Sequence, residues 1–170
     1  MIEEAGIAGQ DYKETVVKVS RVSKVVKGGK RFGFSSIVVV GDRKGNVGAA
    51  IGKANEVQAS IQKAVNRARK KMFKISLKGG TIPHETTGKF CASRVILKPA
   101  VTGTGVIAGS AVRAVIEAVG ISDILTKSQR SRNPRNVVFA TIEALKKLRT
   151  MEQVRELRGK KENSAEGIKI

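Results

Sequence analysis

Two β-branched runs on either side of a glycine pair constrain the fold of this chain more than any other feature. Thr15 to Val26 and Phe32 to Val40 are rich in valine, which favours extended strands over helix. Gly28 and Gly29 lie between them, in a segment with five cations, and residues 15–41 contain no aspartate or glutamate. The sequence therefore predicts two strands joined by a flexible, cationic loop.

A turn, a third strand and a helix complete the first predicted unit, residues 13–76. Gly41 to Asn46 has turn residues, and Val47 to Lys53 alternates larger apolar residues with glycine and alanine. Asn55 and Gln58 then predict a capping box at the start of a helix. The order is βββα, which is the arrangement of a double-stranded-RNA-binding domain without its first helix. The apolar face of the predicted helix holds Val57, Ile61, Ala64, Val65, Ala68 and Met72.

The second predicted unit, residues 77–158, begins at a glycine-rich turn and has the order βαβα. Its last helix has clear start signals, because Asn133 precedes Pro134. We interpret residues 1–12 as a polar leader and residues 159–170 as a polar tail. The predicted fold class is thus a two-domain α+β or α/β protein. The four elements are expected at Phe90 to Leu97, about Val106 to Val119, about Ser122 to Lys127, and Pro134 to Leu148.

The positive charge is large and unevenly distributed. Lysine and arginine number 33 against 14 acidic residues, a formal net charge of +19. Between Thr15 and Arg113 there are 20 basic and three acidic residues. Such an excess indicates a polyanionic partner that meets the first two-thirds of the chain. A basic helix face is usually only solvated. The face expected here has no acidic residue interspersed, which favours contact with a polyanion; it consists of Lys63, Arg67, Lys70, Lys71 and Lys74.

Membrane, secreted and catalytic classes fit the sequence less well. Cys91 is the only cysteine, so a disulfide within the chain is excluded and a reducing interior is favoured. No signal peptide or membrane-spanning run is predicted. His84 and Glu85 form an isolated pair without a nucleophile or metal-ligand spacing, so we predict no catalytic residue, no metal and no cofactor.

Two local patterns resemble nucleotide or RNA motifs. Gly103 to Ala108 matches the G-x-G-x-x-A dinucleotide fingerprint, with Asp123 downstream. A tight turn with close helix packing is the favoured interpretation, because a lone glycine fingerprint is weak and too little chain remains for a nucleotide fold. Lys30 to Ile37 fits the aromatic RNA-recognition octamer at four of seven positions, and we reject it because a strand, not a helix, precedes it.

Eight motifs in order carry a resemblance to a known family. They are R-V-S-K-V-V-K-G-G-K at 21–30, V-V-G-D at 39–42, G-N-V-G at 45–48, I-G-K-A at 51–54, G-G-T-I-P-H at 79–84, L-K-P-A at 97–100, G-T-G-V-I-A-G at 103–109 and N-P-R-N at 133–136. The chain closely resembles the bacterial-type small-subunit ribosomal protein number five family over about Tyr12 to Arg158. Arg130 stands where that family commonly has glycine.

The resemblance implies a structural, non-catalytic role in the small ribosomal subunit, in the cytoplasm or an organelle. Expected partners are ribosomal RNA and ribosomal proteins four and eight, and with proteins three and four the family lines the messenger RNA entry path. The family's glycine-hinged loop reaches the joint between subunit body and head, and changes in it confer spectinomycin resistance. The residues that match it are Val22, Ser23, Lys24, Lys27, Gly28 and Gly29.

Candidate site residues follow from charge, position and the resemblance together. The proposed RNA-binding set is Arg21, Val22, Ser23, Lys24, Lys27, Gly28, Gly29, Lys30, Arg31, Lys53, Lys63, Arg67, Lys70 and Lys71. The proposed protein-interface set, where the family contacts protein four and affects decoding accuracy, is Gly103, Gly105, Gly109, Arg113 and Glu117. A free-standing double-stranded-RNA-binding regulator or chaperone is the alternative function, and a nucleotide-binding enzyme ranks third.

Overall fold

Two four-stranded sheets and four helices make up the part of the chain that the computed structural model describes, residues 12–159. The predicted leader and tail lie almost entirely outside these described residues. The elements are β1 Lys13–Val26, β2 Gly29–Gly41, β3 Asn46–Ala54, α1 Val57–Arg69, β4 Phe73–Lys74, β5 Thr86–Phe90, β6 Ser93–Pro99, β7 Val106–Ile107, α2 Ser110–Val119, β8 Ile124–Arg130, α3 Pro134–Lys146 and α4 Met151–Leu157.

The first sheet has the order β1-β2-β3-β4 and is antiparallel throughout. Both of its faces are covered, which explains the unbroken valine run of β2. Val38 and Val40 pack against α1, whereas Ile37 and Val39 on the opposite face join a core that continues into the second unit. A strand that is buried on both sides has no need for alternating polar residues.

Helix α1 lies directly on the backbone of β3. A Cβ atom on Gly52 would overlap the Ser60 carbonyl oxygen and come within 2.7 Å of the Ala64 amide nitrogen. Gly48 is equally constrained, by the Ala68 carbonyl. The small residues on this face of β3 therefore set the close distance between helix and sheet.

The second sheet has the order β5-β6-β8-β7, with β7 parallel to β8 and the other pairs antiparallel. Helix α3 covers β5 and β6, and a Cβ atom on Gly88 would overlap the Ala140 carbonyl. Helix α2 packs against α3 and against the first sheet. Its apolar side chains Val112, Val115 and Ile116 belong to one hydrophobic core with Val39 of β2. The two units thus share this core, and the first unit buries a second, smaller core between its sheet and α1.

The β2–β3 turn connects the two units by hydrogen bonds. The amides of Arg43 and Gly45 donate to the carbonyls of Ala118 and Val119, each at 3.0 Å, and so satisfy acceptors that the end of α2 leaves open. Asp42, which is buried, holds this turn by accepting from the amides of Lys44 and Asn46 and from the Asn46 side chain. Burial raises the pKa of Asp42, but these hydrogen bonds outweigh it and bring the pKa below its ordinary value.

The two-domain fold class is confirmed, but several predicted element boundaries are wrong. The α1 capping box is absent, because Glu56 is the N-cap and Gln58 falls one position too early to complete it. Val57, expected on the core face, is 37% exposed. Beyond the end of α1, Phe73 and Lys74 form strand β4. Lys74 therefore does not continue the basic face of the helix, contrary to the prediction from the sequence.

The second unit contains two more strands than the predicted βαβα order. The expected strand at Phe90 is a hairpin, β5 and β6, whose turn places Cys91 at φ 48°. The expected helix start at Val106 is strand β7, and α2 begins only at Ser110. The Asn133 cap of α3 is confirmed, since its side chain accepts from the Arg135 amide. Arg130, where the family commonly has glycine, has φ 64° in the left-handed region that favours glycine.

Candidate nucleic-acid interface

The predicted cationic loop is a β-hairpin arm, residues 21–34. Its strands pair without interruption up to Val26 and Gly29, leaving only Lys27 and Gly28 in the turn. Gly29 has φ 125°, a conformation that a side chain would strain. Strand β3 ends opposite Phe34, so the arm beyond that point pairs only with itself and projects from the sheet.

All nine predicted RNA-binding residues of the arm are exposed. Within residues 12–159 none of the five arm cations forms an ion pair. The Arg21 guanidinium carbon lies 3.8 Å from the centroid of the Phe32 ring, and Phe32 itself is 51% exposed. This cation–π contact positions one charge on the strand pair while its donors remain accessible. The arm therefore presents positive charge at defined positions.

Four further cations extend the positive surface from the arm to α1. Lys63 and Arg67 are exposed on the helix, Lys70 caps its C-terminus, and Lys71 lies in the following turn. The Arg67 side chain donates to the Ile51 carbonyl at 3.1 Å, which holds it against β3. Lys53 joins the two groups, because it lines one concave surface with Lys24 and Arg31 and another with Lys63 and Arg67.

The glycine loop after β6 is closed by a carboxylate of the same chain. The amides of Gly103 and Gly105 donate to Asp123 Oδ1 at 2.9 and 2.8 Å. Asp123 is buried and occupies the position where a nucleotide phosphate would accept these bonds. Asp123, the acidic residue downstream of the fingerprint, stabilises a tight turn. This geometry agrees with the favoured interpretation of the fingerprint as a turn.

The predicted protein-interface line on α2 divides into two parts. Gly109 and Arg113 are exposed, and Arg113 donates to the Val106 carbonyl at 2.9 Å. Glu117 faces the first unit instead and pairs with Lys13 of β1 at 2.8 Å. The hydrogen bond from Lys13 lowers the pKa of Glu117 below its ordinary value, with burial opposing it. Glu117 thus contributes to the contact between the units.

The three residues considered for chemistry lie on the surface. His84 and Glu85 are exposed, and Glu85 lies 3.5 Å from Lys98. Cys91 is a free, exposed thiol. In the described range, no three His, Cys, Asp or Glu side chains come together as metal ligands. No helix there is long and apolar enough to cross a membrane.

Sequence reasoning did not select two cations that the fold places beside Lys53, Lys63 and Arg67. Lys18 on β1 and Arg135 at the start of α3 line the same concave surface. Alternation along β1, which places Lys18, Ser20 and Val22 on one face, could have identified the first. The sequence had no comparable signal for Arg135, because its position depends on how the two units pack.

Comparison with known proteins gives one consistent family. "Ribosomal protein S5, N-terminal domain" matches residues 12–76, and "Ribosomal protein S5, C-terminal domain" matches residues 88–158. The chain is 58% identical over 147 residues to "Small ribosomal subunit protein uS5" of Syntrophobacter fumaroxidans, covering 86% of this chain and 89% of that protein. It is 54% identical over 152 residues to the protein of the same name from Flavobacterium psychrophilum, covering 89% and 87%. The chain belongs to the ribosomal protein S5 family.

Proposed function

We propose that this protein is a structural, non-catalytic constituent of the small ribosomal subunit that binds folded ribosomal RNA through its phosphates. The observation that carries the proposal is the acid-free cationic surface formed by the arm, Lys53 and α1. Cations that lack acidic partners repel one another in the free protein, and RNA phosphates replace that repulsion with attraction. The relatives of this chain are proteins of the small ribosomal subunit, where ribosomal RNA is available as the polyanionic partner.

The recognition mode is expected to be backbone contact with structured RNA. The whole chain has five phenylalanines, one tyrosine and no tryptophan, which is poor material for stacking unpaired bases. Phe32 is the exposed exception, and Arg21 covers it. Lysine and arginine on a hairpin and a helix instead suit a groove lined by phosphates.

We further propose that the arm lies at the joint between subunit body and head, supports subunit assembly and affects translational accuracy. Residues 13–76 then form the RNA-binding domain and residues 77–158 the domain that contacts protein neighbours. The exposed part of α2, Gly109 and Arg113 with the loop at Gly103 and Gly105, faces ribosomal protein four. Ribosomal protein eight is a second neighbour, and proteins three and four share the messenger RNA entry path with this one.

Sedimentation of a cell extract tests the central proposal. A ribosomal constituent travels with the small subunit and leaves it only at high salt, because many phosphate contacts must be broken together. Recovery of most of the protein in the light fractions at low salt would contradict the proposal and favour the free-standing RNA-binding regulator.

Point variants test the assignment of the site. Charge reversal with Lys24→Glu and Lys27→Glu is expected to impair subunit assembly, because both residues lie on the projecting arm. His84→Ala is the control, since His84 is exposed and far from the arm in sequence. Equal assembly defects from the two changes would show that the arm is not the RNA-binding site.

A further inference from the structure

A cleft of about 730 Å³ lies where the first unit meets the start of α3. Side chains of β1, β2 and β3 line it together with side chains of α1 and of the second unit. Ser20, Ser35, Ile37 and Ile51 contribute small polar and apolar surface. The residues with strong hydrogen-bond donors are Lys18, Lys53, Lys63, Arg67, Asn133 and Arg135.

The cleft is cationic and contains no compensating acid. Five of its lining residues are lysine or arginine and none is aspartate or glutamate. None of these five forms an ion pair with any residue in the described range. Arg67 is oriented by its bond to the Ile51 carbonyl, which leaves its other guanidinium N–H groups free for an anion. So many uncompensated charges around one cavity favour an anionic ligand.

The start of α3 adds to this potential from the second unit. The helix has 13 residues, no acidic residue in its first turn, and Asn133 as its N-cap. The partial positive charge of a helix N-terminus therefore acts beside Arg135. Because Arg135 and Lys18 belong to different units, the full charge of the cleft exists only while the two units are docked.

We propose that this cleft holds the phosphates of a turned segment of RNA backbone, so that one RNA segment contacts both units at once. The inference rests on the proposed function and extends the RNA-binding surface from Lys53, Lys63 and Arg67 to Lys18 of β1 and Arg135 of the second unit. Backbone rather than base recognition follows from the lining, which includes no aromatic side chain on which a base could stack. Serine hydroxyls and the Asn133 amide suit the sugar and phosphate oxygens between the cations.

Charge reversal at the two new positions tests the proposal in the full-length protein. Lys18→Glu and Arg135→Glu are each expected to weaken binding to small-subunit ribosomal RNA transcribed in vitro by about tenfold and to reduce the salt slope by roughly one. Lys89→Glu is the matched control, because Lys89 is exposed on β5 and its reversal changes the net charge by the same amount. It should bind within about twofold of the wild type once the general effect of charge is included.

The outcomes separate this proposal from the proposed function. If Lys18→Glu and Arg135→Glu bind as well as Lys89→Glu, while the Lys24→Glu, Lys27→Glu protein binds worse, no RNA segment bridges the two units at Lys18 and Arg135, and the proposed function stands. If the wild type itself does not bind the transcript, both fail. The melting temperature of each variant is compared with that of the wild type. If charge reversal unfolds the protein, Arg135→Gln replaces Arg135→Glu. A threefold or greater loss of RNA affinity with Arg135→Gln then supports the proposal, and no loss overturns it.

A free nucleotide offers the same phosphate chemistry, and its size also suits the cleft. Titration calorimetry with ATP and with inorganic phosphate distinguishes this source. Only weak, millimolar binding is expected, because one triphosphate cannot engage cations spread over both units. Micromolar ATP binding that Arg135→Glu abolishes would overturn RNA backbone as the ligand.

Discussion

Neutralising two lysines of the arm is expected to change the salt dependence of RNA binding by a calculable amount. Lys24 and Lys27 lie near the tip of the hairpin, are exposed, and have no ion pair within residues 12–159. Their replacement by glutamine keeps the length and polarity of the side chains, and both positions lie outside the hydrophobic core. The fold should therefore be unaffected, and any change in binding reports on charge.

The magnitude follows from counterion release. Each phosphate contact contributes about 0.7 to 0.9 to the slope of log affinity against log salt concentration, so two lost contacts reduce the slope by roughly 1.4 to 1.8. With six to ten contacts, raising the salt from about 50 to 200 mM weakens the wild type on the order of a thousandfold or more. Over the same fourfold range of salt concentration, the fold-loss of RNA affinity of the Lys24→Gln, Lys27→Gln protein should be roughly tenfold smaller than that of the wild type.

Filter binding to labelled small-subunit ribosomal RNA at several potassium chloride concentrations measures both slopes. The control is Lys89→Gln, Lys127→Gln, which removes two exposed lysines from the second sheet at equal cost in net charge. Its slope should match that of the wild type. If the arm and control variants have the same slope, phosphate contacts at the arm tip are refuted, and a flat wild-type response would refute backbone recognition altogether.

Three further predictions concern the framework that holds the site. Gly52→Ala should destabilise the protein by about 2 to 3 kcal/mol and lower its melting temperature by roughly 5 °C or more, because the new methyl group meets the backbone of α1, whereas Gly28→Ala, in open space, should be nearly neutral. Asp42 has a lowered pKa in the folded state, so its contribution to the free energy of unfolding is present above the unfolded pKa of about 4 and is lost as pH falls through the folded value. Asp42→Asn should therefore be less stable than the wild type at pH 7. In urea unfolding it should also lose less stability than the wild type on acidification. Asp123→Ala should cost roughly 2 to 3 kcal/mol in the same assay, since it leaves two loop amides without their charged acceptor, and an unchanged midpoint would contradict that role.

The sequence pattern alone predicted those elements whose structure depends on neighbouring residues. The valines of β1 and β2, the alternation in β3 and the Asn133–Pro134 helix start each specify a structure through short-range chemistry. The charge pattern likewise indicated basic residues on both the arm and α1.

Features that depend on long-range packing were not predictable in this way. The segment at Val106 is apolar enough to continue a helix, yet it pairs with Ile124, which is far along the chain. The glycines at 28 and 29 suggested a loop, but the two strands pair up to the turn and form a hairpin arm. Arg135 enters the cleft only because α2 and the first sheet bring the second unit against β1.

The shared core has a consequence for how the chain is made. Synthesis proceeds from the N-terminus at about 5 to 20 residues per second, so β1 to β3 leave the exit tunnel seconds before α2 does. During that interval Ile37, Val39 and Ala49 face water, since the side chains that bury them have not yet been made. A nascent or truncated chain that ends before α2 therefore exposes apolar surface and is prone to aggregate. How much of it aggregates depends on how quickly the rest of the polypeptide is synthesised.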